Sequence, residues 1–234
     1  MRMTNLVAIH QPNFFPWIGY FDKIRRADTF VFLDDVAYPR SGSGGMGSWL
    51  NRVRLNVQGK PRWVTCPVRR IPLGSPIRIT EIDDRQPWRI KFMKTLDANY
   101  RRARRYNETL ELLTPLMQSE ESNLARFNAF AIQRIAMFLG VESKFVHQSE
   151  LKCEGSSTEL LISITKAAGG ASYLSGGGAS EYQNDELFAE RGIGLVNQQF
   201  KPQCYGEPAR FLPGLSIIDY LMHDGRPLSE AFRE

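Results

Sequence analysis

Short apolar runs alternate with amphipathic stretches at the start of the chain. Residues 6–9 and 29–33 are apolar runs of strand length, and the second has the continuous Phe/Val/Leu character of a strand buried on both faces of a parallel sheet. Between them, apolar residues recur at helical spacing. This spacing predicts a helix that begins near Pro16 and places Asp22 and Lys23 on its outer face.

The same alternation returns in the C-terminal half. The pattern predicts strands at residues 144–148, 171–175 and 193–196, with helices between them. Strands that alternate with helices along a chain imply a mainly parallel, doubly wound sheet with helices on its faces. We therefore predict a single α/β domain over residues 1–234.

A β-hairpin and a helical block interrupt this alternation. Residues 49–70 alternate polar and apolar side chains on either side of a Gly-Lys-Pro turn signal, which predicts a hairpin. A third short strand is expected at residues 77–82, and the periodicity of residues 86–140 is helical. We treat residues 38–85 as a hairpin insertion and residues 86–140 as a helical block inserted into the α/β domain.

Polar and titratable side chains follow the first two strands where each strand ends. His10, Gln11 and Asn13 follow the first strand, and Asp34 and Asp35 follow the second. Ligands of open α/β sheets bind outside the carboxyl ends of the strands. A histidine there can exchange protons, and a carboxylate can bind Mg²⁺ or orient a sugar hydroxyl. We predict His10, Asp34 and Asp35 as catalytic and Gln11 and Asn13 as substrate-binding; the alternatives are a structural histidine and a turn-capping carboxylate.

Two further segments are candidates for holding an anion. The arginines of the Asn-Arg-Val-Arg run lie on one face of the predicted hairpin, where two guanidinium groups could clamp a phosphate or a carboxylate. The Ser-Gly-Gly turn after the strand at 171–175 lets the backbone approach a ligand near a helix N-terminus. An exposed strand face and a simple tight turn are the structural alternatives. The substrate-binding candidates of these segments are Asn51, Arg52, Arg54, Ser175, Gly176 and Gly177.

The composition is that of an ordinary globular protein, with 42% hydrophobic and 24% charged residues. No apolar run approaches the roughly 20 residues of a membrane span, and the N-terminus lacks the apolar core of a signal peptide. We therefore expect a cytoplasmic protein with no membrane partner. Much of the net charge of +5 lies in residues 100–106, and this favours a solvated helix end over a nucleic-acid site. The three cysteines are far apart and indicate neither a disulfide framework nor a metal centre.

Four sequence blocks span nearly the whole chain: residues 10–21 (HQPNFFPWIGYF), 27–36 (ADTFVFLDDV), 51–54 (NRVR) with 63–68 (WVTCPV), and 173–182 with 215–219 (LSIID). Together these blocks resemble the WbqC-like protein family of bacterial surface-polysaccharide gene clusters. The resemblance implies a group transferase that acts on an activated, nucleotide- or phosphate-bearing sugar or a similar small metabolite. It adds Trp17, Tyr20, Tyr182 and Gln199 to the substrate-binding candidates.

The resemblance leaves the reaction and the cofactor open. An ATP-dependent ligase or nucleotidyltransferase is one alternative, and a non-catalytic protein that binds nucleic acid or another ligand is a second. Mg²⁺ and a nucleotide are the candidate cofactors. The expected partner is a phosphate-bearing small molecule, whereas nucleic acid is not expected, and the sequence does not define an oligomeric state.

The first strand–helix–strand unit is also similar to the start of the adenylyl-transferring nucleotidyltransferases, which have a Rossmann-like fold. In that superfamily two histidines surround the glycine that opens the helix and contact phosphate. Trp17 and Tyr20 occupy the nearest positions here and supply no cationic contact. Two differences from the WbqC-like pattern are the Ser/Gly-rich residues 41–48, which resemble an insertion, and Lys201, which stands where that family usually has a histidine.

Overall fold

A computed structural model describes residues 5–39, 48–177 and 183–231 of the chain. The chain divides into two compact units. Unit 1 comprises residues 1–11, 19–35 and 141–201, and unit 2 comprises residues 12–18, 36–140 and 202–234. The hairpin and helical insertions expected from the sequence both fall within unit 2.

The strands and helices are as follows. The strands of the described residues are β1 (Leu6–His10), β2 (Thr29–Phe32), β3 (Arg52–Val57), β4 (Lys60–Thr65), β5 (Lys144–His147), β6 (Ser172–Ser175) and β7 (Gly194–Asn197). Their α-helices are α1 (Ile18–Arg26), α2 (Trp88–Tyr100), α3 (Tyr106–Gln118), α4 (Leu124–Phe138), α5 (Ser157–Ala167), α6 (Asp185–Glu190), α7 (Ile217–His223) and α8 (Leu228–Ala231).

The centre of unit 1 is a five-stranded parallel sheet with the order β5-β2-β1-β6-β7. The chain winds from β1 through β2 to β5, and then returns to β6 and β7 on the other side of β1. This order confirms the predicted doubly wound α/β sheet. In such sheets a crevice opens at the carboxyl ends of the strands where the strand order reverses. Here that switch point lies between β1 and β6.

Alternating side chains of the sheet contribute to its two faces. Val7, Ile9 and Val31 belong to one hydrophobic cluster with residues of α5 and α6. Tyr20 of α1 packs against Phe30 of β2, with ring centroids 5.3 Å apart. His10 follows Ile9 directly, so the alternation turns its side chain away from the α5 and α6 cluster.

Helix α1 buries two charged residues that the sequence pattern places in solvent. Asp22 is 4% exposed and Lys23 is 3% exposed, so the predicted outer face is wrong at both positions. Gln198 Nε2 donates a hydrogen bond to Asp22 Oδ2 over 2.9 Å. The helical spacing could not reveal this contact, because Gln198 follows β7 and is remote from α1 in the sequence.

The core of unit 2 contains a cluster of aromatic rings. Phe14 and Phe15 are buried and pack against Phe92 of α2 and Phe127 of α4, with centroid separations from 5.5 to 6.3 Å. Each such pair adds stabilisation beyond the apolar area that it buries. The Pro/aromatic loop after β1 is therefore part of a hydrophobic core.

Helix α1 begins at Ile18 rather than near Pro16. Trp17 forms a β-bridge with Ser216, and Ser216 Oγ donates a hydrogen bond of 2.8 Å to the carbonyl oxygen of Phe15. These contacts hold Trp17 in extended conformation, so the helix cannot start earlier.

Strands β3 and β4 form the predicted antiparallel hairpin, in which Arg54 lies opposite Trp63. The strand expected at residues 77–82 is wrong, because residues Ile77–Ile79 form a 3₁₀ turn. Glu81 and Ile82 make only isolated bridges in the described part of the chain, and a strand requires a continuous hydrogen-bonded neighbour.

Candidate functional site

Two predicted site residues end the strands that border the switch point of unit 1. His10 is the last residue of β1, and Ser175 is the last residue of β6. Gly176 follows Ser175 directly. The Ser175 side chain is buried, and its Oγ donates a hydrogen bond of 2.8 Å to Gln183 Oε1. The sheet therefore places the candidates from two distant parts of the sequence at one edge.

His10 is held as a neutral imidazole. Its Nδ1 lies 3.1 Å from the carbonyl oxygen of Gln11, and its ring packs edge-on against Tyr20 at 4.7 Å. Desolvation, and secondly the charge of Lys23, lower the pKa of His10 to about 4, although the hydrogen bond to the Gln11 carbonyl opposes this shift. Because a carbonyl oxygen only accepts, Nδ1 carries the proton and Nε2 remains an acceptor. At neutral pH this histidine is unprotonated, and its Nε2 is available to accept a hydrogen bond.

Lys23 brings a buried amine to the same edge of the sheet. Its Nζ donates a hydrogen bond of 2.8 Å to the carbonyl oxygen of Ile9 and lies 5.6 Å from the ring centroid of Tyr173 in β6. A Cβ atom on Gly176 would lie 3.7 Å from this Nζ, so the glycine turn passes beside the amine. Burial lowers the pKa of Lys23 to about 7.

Lys23 has no carboxylate counter-ion among residues 5–39, 48–177 and 183–231. A buried ammonium is costly unless an opposite charge pairs with it. A ligand anion at the switch point would supply that charge. The sequence pattern did not indicate Lys23 as a site residue, since nothing in a helical pattern distinguishes a buried lysine from a solvated one.

A small cavity of about 280 Å³ opens beside the glycine turn. Its volume is just below the range of about 300–1,000 Å³ that is typical of ligand pockets, and it suits a single polar group such as a phosphate. Gln199 in its wall has a φ of 48°, in the left-handed region that residues with side chains seldom adopt. The residues that line the cavity are Ser175, Gly176, Gly177, Gln183, Asp185, Asn197, Gln198 and Gln199.

Asp34 joins the ends of β2 and β5. One oxygen, Oδ2, accepts hydrogen bonds of 2.9 Å from His147 Nδ1 and Ser149 Oγ, and the other accepts one of 2.9 Å from the Ser149 amide. Burial alone would raise the pKa of Asp34, but these hydrogen bonds and the His147 charge lower it below its usual value. The hydrogen bond to Asp34 raises the pKa of His147, although burial opposes it. Asp35 is exposed.

The arginine pair of the hairpin belongs to unit 2 and lies against tryptophan rings. The Cζ atom of Arg52 is 4.5 Å from the ring centroid of Trp63, and that of Arg54 is 5.7 Å from Trp49 and 5.8 Å from Trp63. These distances lie within the range of cation–π contacts. Neither Trp49 nor Trp63 was predicted as a site residue from the sequence.

The two asparagines predicted as substrate-binding also lie in unit 2. Asn51 is buried, its Nδ2 donates to the Cys66 carbonyl oxygen over 3.0 Å, and its Oδ1 accepts from the Ser48 amide over 3.0 Å. Asn51 therefore ties the base of the hairpin together. The Oδ1 atom of Asn13 is buried and finds no hydrogen-bond donor in the described part of the chain.

Unit 2 also contains the buried carboxylate of Asp219, which was not predicted as a site residue from the sequence. Asp219 accepts hydrogen bonds of 2.8 Å from Tyr100 Oη and 3.0 Å from Tyr205 Oη. The amide of Asn56 donates to the same Tyr100 oxygen over 2.9 Å. Burial raises the pKa of Asp219, while the tyrosine hydrogen bonds and the nearby His223 oppose the rise. This network links α7, α2 and β3.

The remaining observations concern the residues that the structure does not describe, the basic stretch, membrane spans and metal ligands. Tyr182 and residues 41–47 are outside the described residues. Within the basic stretch 100–106, Arg101 pairs with Asp97. No helix of the described residues is long and apolar enough to cross a membrane. The described ranges also hold no group of three or more His, Cys, Asp or Glu side chains that could hold a metal ion.

The strand order, with His10, Lys23 and the glycine turn at the switch point, defines an α/β protein with a polar site at the carboxyl edge of its sheet. The family model of the WbqC-like protein family matches residues 11–230. The chain belongs to this family.

One curated relative is 28% identical over 235 residues, which cover 97% of each chain. It is the uncharacterized protein Rv1507c of Mycobacterium tuberculosis (strain ATCC 25618 / H37Rv). No solved structure matches the chain significantly.

Proposed function

We propose that the protein is a group transferase that binds a phosphate-bearing sugar, or a similar small activated metabolite, at the switch point of unit 1. The observation that carries this proposal is the position of Lys23. Its Nζ is buried beside Gly176 without a described counter-ion, at the edge where α/β sheets bind their ligands. A phosphate in this position would restore the charged form of the amine.

His10 and Lys23 have complementary roles in this reaction. The Nε2 atom of His10 accepts the proton of an acceptor hydroxyl or amine as that group attacks the activated carbon or acyl centre. The bond from that centre to the phosphate oxygen breaks, and the electron pair leaves with the phosphate. Lys23 and the backbone amides of Gly176 and Gly177 then stabilise the negative charge that develops on the leaving group.

The carboxylates and the remaining candidates have supporting roles. Asp34 positions the strand ends through His147 and Ser149, and the exposed Asp35 orients the acceptor. Gln11 and Gln199 contribute polar contacts to the substrate. We also propose that the reaction takes place in the cytoplasm and serves the synthesis of surface polysaccharides, the role that the resemblance to the WbqC-like family implies.

The test is a ligand panel read out as thermal stability. Sugar 1-phosphates and nucleotide sugars, with and without Mg²⁺, are compared with chloride at equal ionic strength, because a ligand that binds the native state raises its melting temperature. At least one phosphate-bearing ligand should stabilise the protein by an effect that Lys23→Met abolishes. Lys166→Met, which changes an exposed lysine of unit 1, should respond like the wild type.

The stabilising ligand then serves as the substrate in a turnover assay. His10→Gln should reduce turnover by about 100-fold or more, the usual contribution of a general base. A panel without a single stabilising phosphate ligand contradicts the proposal. Turnover of His10→Gln within about twofold of the wild type contradicts the role of His10.

A further inference from the structure

The outer face of the hairpin in unit 2 combines two exposed indole rings with two guanidinium groups. Trp49 and Trp63 are each 45% exposed, and their ring centroids are 4.8 Å apart. Such large aromatic side chains are costly to leave in water and are enriched where a ligand or a partner covers them. Arg52 and Arg54 lie within 5.8 Å of these rings.

The sequence of β3 places both arginines on this face. Val53 and Leu55 are buried, so the alternation of the strand directs Arg52 and Arg54 to the opposite side. Arg54 lies opposite Trp63 in the hairpin register, and directly opposed side chains of antiparallel strands contact each other.

The guanidinium groups carry unbalanced positive charge. Neither Arg52 nor Arg54 forms an ion pair with a carboxylate in the described ranges, and their Nε atoms are buried without an acceptor there. The two indole rings meet edge to face, with an interplanar angle of 60°, so each keeps part of a ring face open to solvent. An exposed indole surface beside two guanidinium groups without a carboxylate partner is complementary to a ligand that is planar, aromatic and negatively charged.

A glycine turn fixes one of the guanidinium groups. Arg54 Nη2 donates a hydrogen bond of 3.2 Å to the carbonyl oxygen of Gly214. Gly214 has a φ of 71°, and a Cβ atom on it would lie 2.9 Å from this Nη2. Position 214 therefore requires glycine for two reasons: its backbone has a positive φ, and a side chain there would clash with the Arg54 guanidinium.

We propose that this face, formed by Trp49, Arg52, Arg54 and Trp63, binds a nucleotide. The base stacks on the exposed indole surface, and the phosphates pair with the two guanidinium groups. Stacking on aromatic rings accepts any base, whereas the arginines require the phosphates. A neutral carbohydrate would leave both cations without a partner, and it is therefore the poorer fit. This inference does not depend on the transfer reaction, since nucleotide binding would stand without any turnover.

The test is a tryptophan fluorescence titration with ADP and UDP. Adenosine serves as the probe without phosphate, and ribose 5-phosphate as the probe without a base. Both nucleotides should quench the fluorescence saturably, and both partial ligands should bind more weakly. Trp63→Leu should weaken ADP binding about tenfold or more, and Trp63→Phe, which keeps a ring, should recover most of the affinity.

A second pair of variants separates charge from fold. Arg54→Gln should weaken ADP binding but leave adenosine binding unchanged. Gly214→Ala should weaken ADP binding as well, because it displaces the Arg54 guanidinium. Arg62→Gln removes an exposed charge from the same hairpin, opposite Leu55, and should bind ADP like the wild type.

Three outcomes would overturn the inference. The first is no saturable quenching by either nucleotide. The second is ADP binding that Trp63→Leu leaves intact in a protein of wild-type melting temperature. The third is a single-stranded RNA oligomer that binds far more tightly than ADP with a steep salt dependence, which would assign the face to nucleic acid. None of these results bears on the His10-dependent turnover, so the two proposals fail independently.

Discussion

The Nζ atom of Lys23 donates a hydrogen bond of 2.8 Å to the carbonyl oxygen of Ile9, the residue that precedes His10 at the end of β1. The bond holds an amine that is 3% exposed at the carboxyl edge of a parallel sheet. Burying an uncompensated amine costs stability, and burial lowers its pKa to about 7. An anion bound to the ammonium would offset this desolvation cost.

Replacing Lys23 with methionine should stabilise the unliganded protein. Methionine fills a similar volume without a charge to desolvate, so the free energy of unfolding should rise by on the order of 1 kcal/mol or more. Urea unfolding near neutral pH measures the change. The gain should be larger at pH 7 than at about pH 10, where the unfolded lysine also begins to lose its proton. A destabilised Lys23→Met protein would instead indicate a structural role for the amine.

The histidines should differ in their NMR titrations. His10 should stay neutral down to about pH 5, because its pKa is lowered to about 4, and its Nε2 should be the unprotonated nitrogen at neutral pH. Imidazole ¹⁵N spectra of the three histidines, assigned with single His→Gln variants, report both properties. A normal titration of His10, with a midpoint near pH 6.5, would contradict the lowering of its pKa by desolvation and by the Lys23 charge.

The Asp34–His147 pair should make stability depend on pH in two directions. Because its pKa is lowered in the folded state, Asp34 contributes to the free energy of unfolding above about pH 4. This contribution is lost as the pH falls through the pKa of Asp34 in the folded protein. Because its pKa is raised in the folded state, His147 contributes fully to the free energy of unfolding below about pH 6.5. This contribution is lost as the pH rises through the pKa of His147 in the folded protein.

A double-mutant cycle with Asp34→Asn and His147→Gln measures this pair directly. The coupling free energy should be largest near about pH 5–6 and should decrease towards about pH 8. Ser149→Ala, which removes a hydroxyl donor to the same carboxylate, should lower the free energy of unfolding. This loss should not vary between about pH 6 and pH 8 as the Asp34–His147 coupling does. A coupling free energy that is constant from about pH 5 to 8 would contradict the ion pair.

The Asp219 network should show unequal contributions from its two tyrosines. Tyr100→Phe removes the donor to Asp219 and the acceptor of the Asn56 amide, whereas Tyr205→Phe removes only one donor. The free energy of unfolding should fall by about 2–4 kcal/mol for Tyr100→Phe and by about 1–2 kcal/mol for Tyr205→Phe. Chemical denaturation measures both changes. Equal losses in the two variants would contradict the second role of the Tyr100 hydroxyl.

Local sequence patterns predicted the sheet well, because its strands are short apolar runs between helical segments. The ends of β1 and β6 followed from the same pattern, so His10 and Ser175 could be placed at strand ends from the sequence. Their neighbours could not be predicted. Lys23 reaches the site because β6 returns beside β1, and no local pattern encodes that return. The strand expected at residues 77–82 failed because its apolar residues find single bridges rather than a partner strand.

The hairpin illustrates the same limit. The alternation of β3 predicted a shared face for Arg52 and Arg54, and the burial of Val53 and Leu55 agrees with it. The indole rings beside the arginines come from β4 and from Trp49, which precedes β3. The contacts between the rings and the arginines depend on the register of the hairpin. The turn signal located the hairpin in the sequence but did not define the orientation of the rings.

The most direct test of the anion site is an NMR titration with sulfate, a phosphate mimic whose charge is constant at neutral pH. The amide resonances of Gly176 and Gly177 should shift saturably. Since Lys23 has a pKa of about 7, affinity should be about tenfold higher near pH 6 than near pH 8, and Lys23→Met should abolish this pH dependence. Glycine amides that do not respond to sulfate, or an affinity that is the same at both pH values, would contradict an anion site built on Lys23.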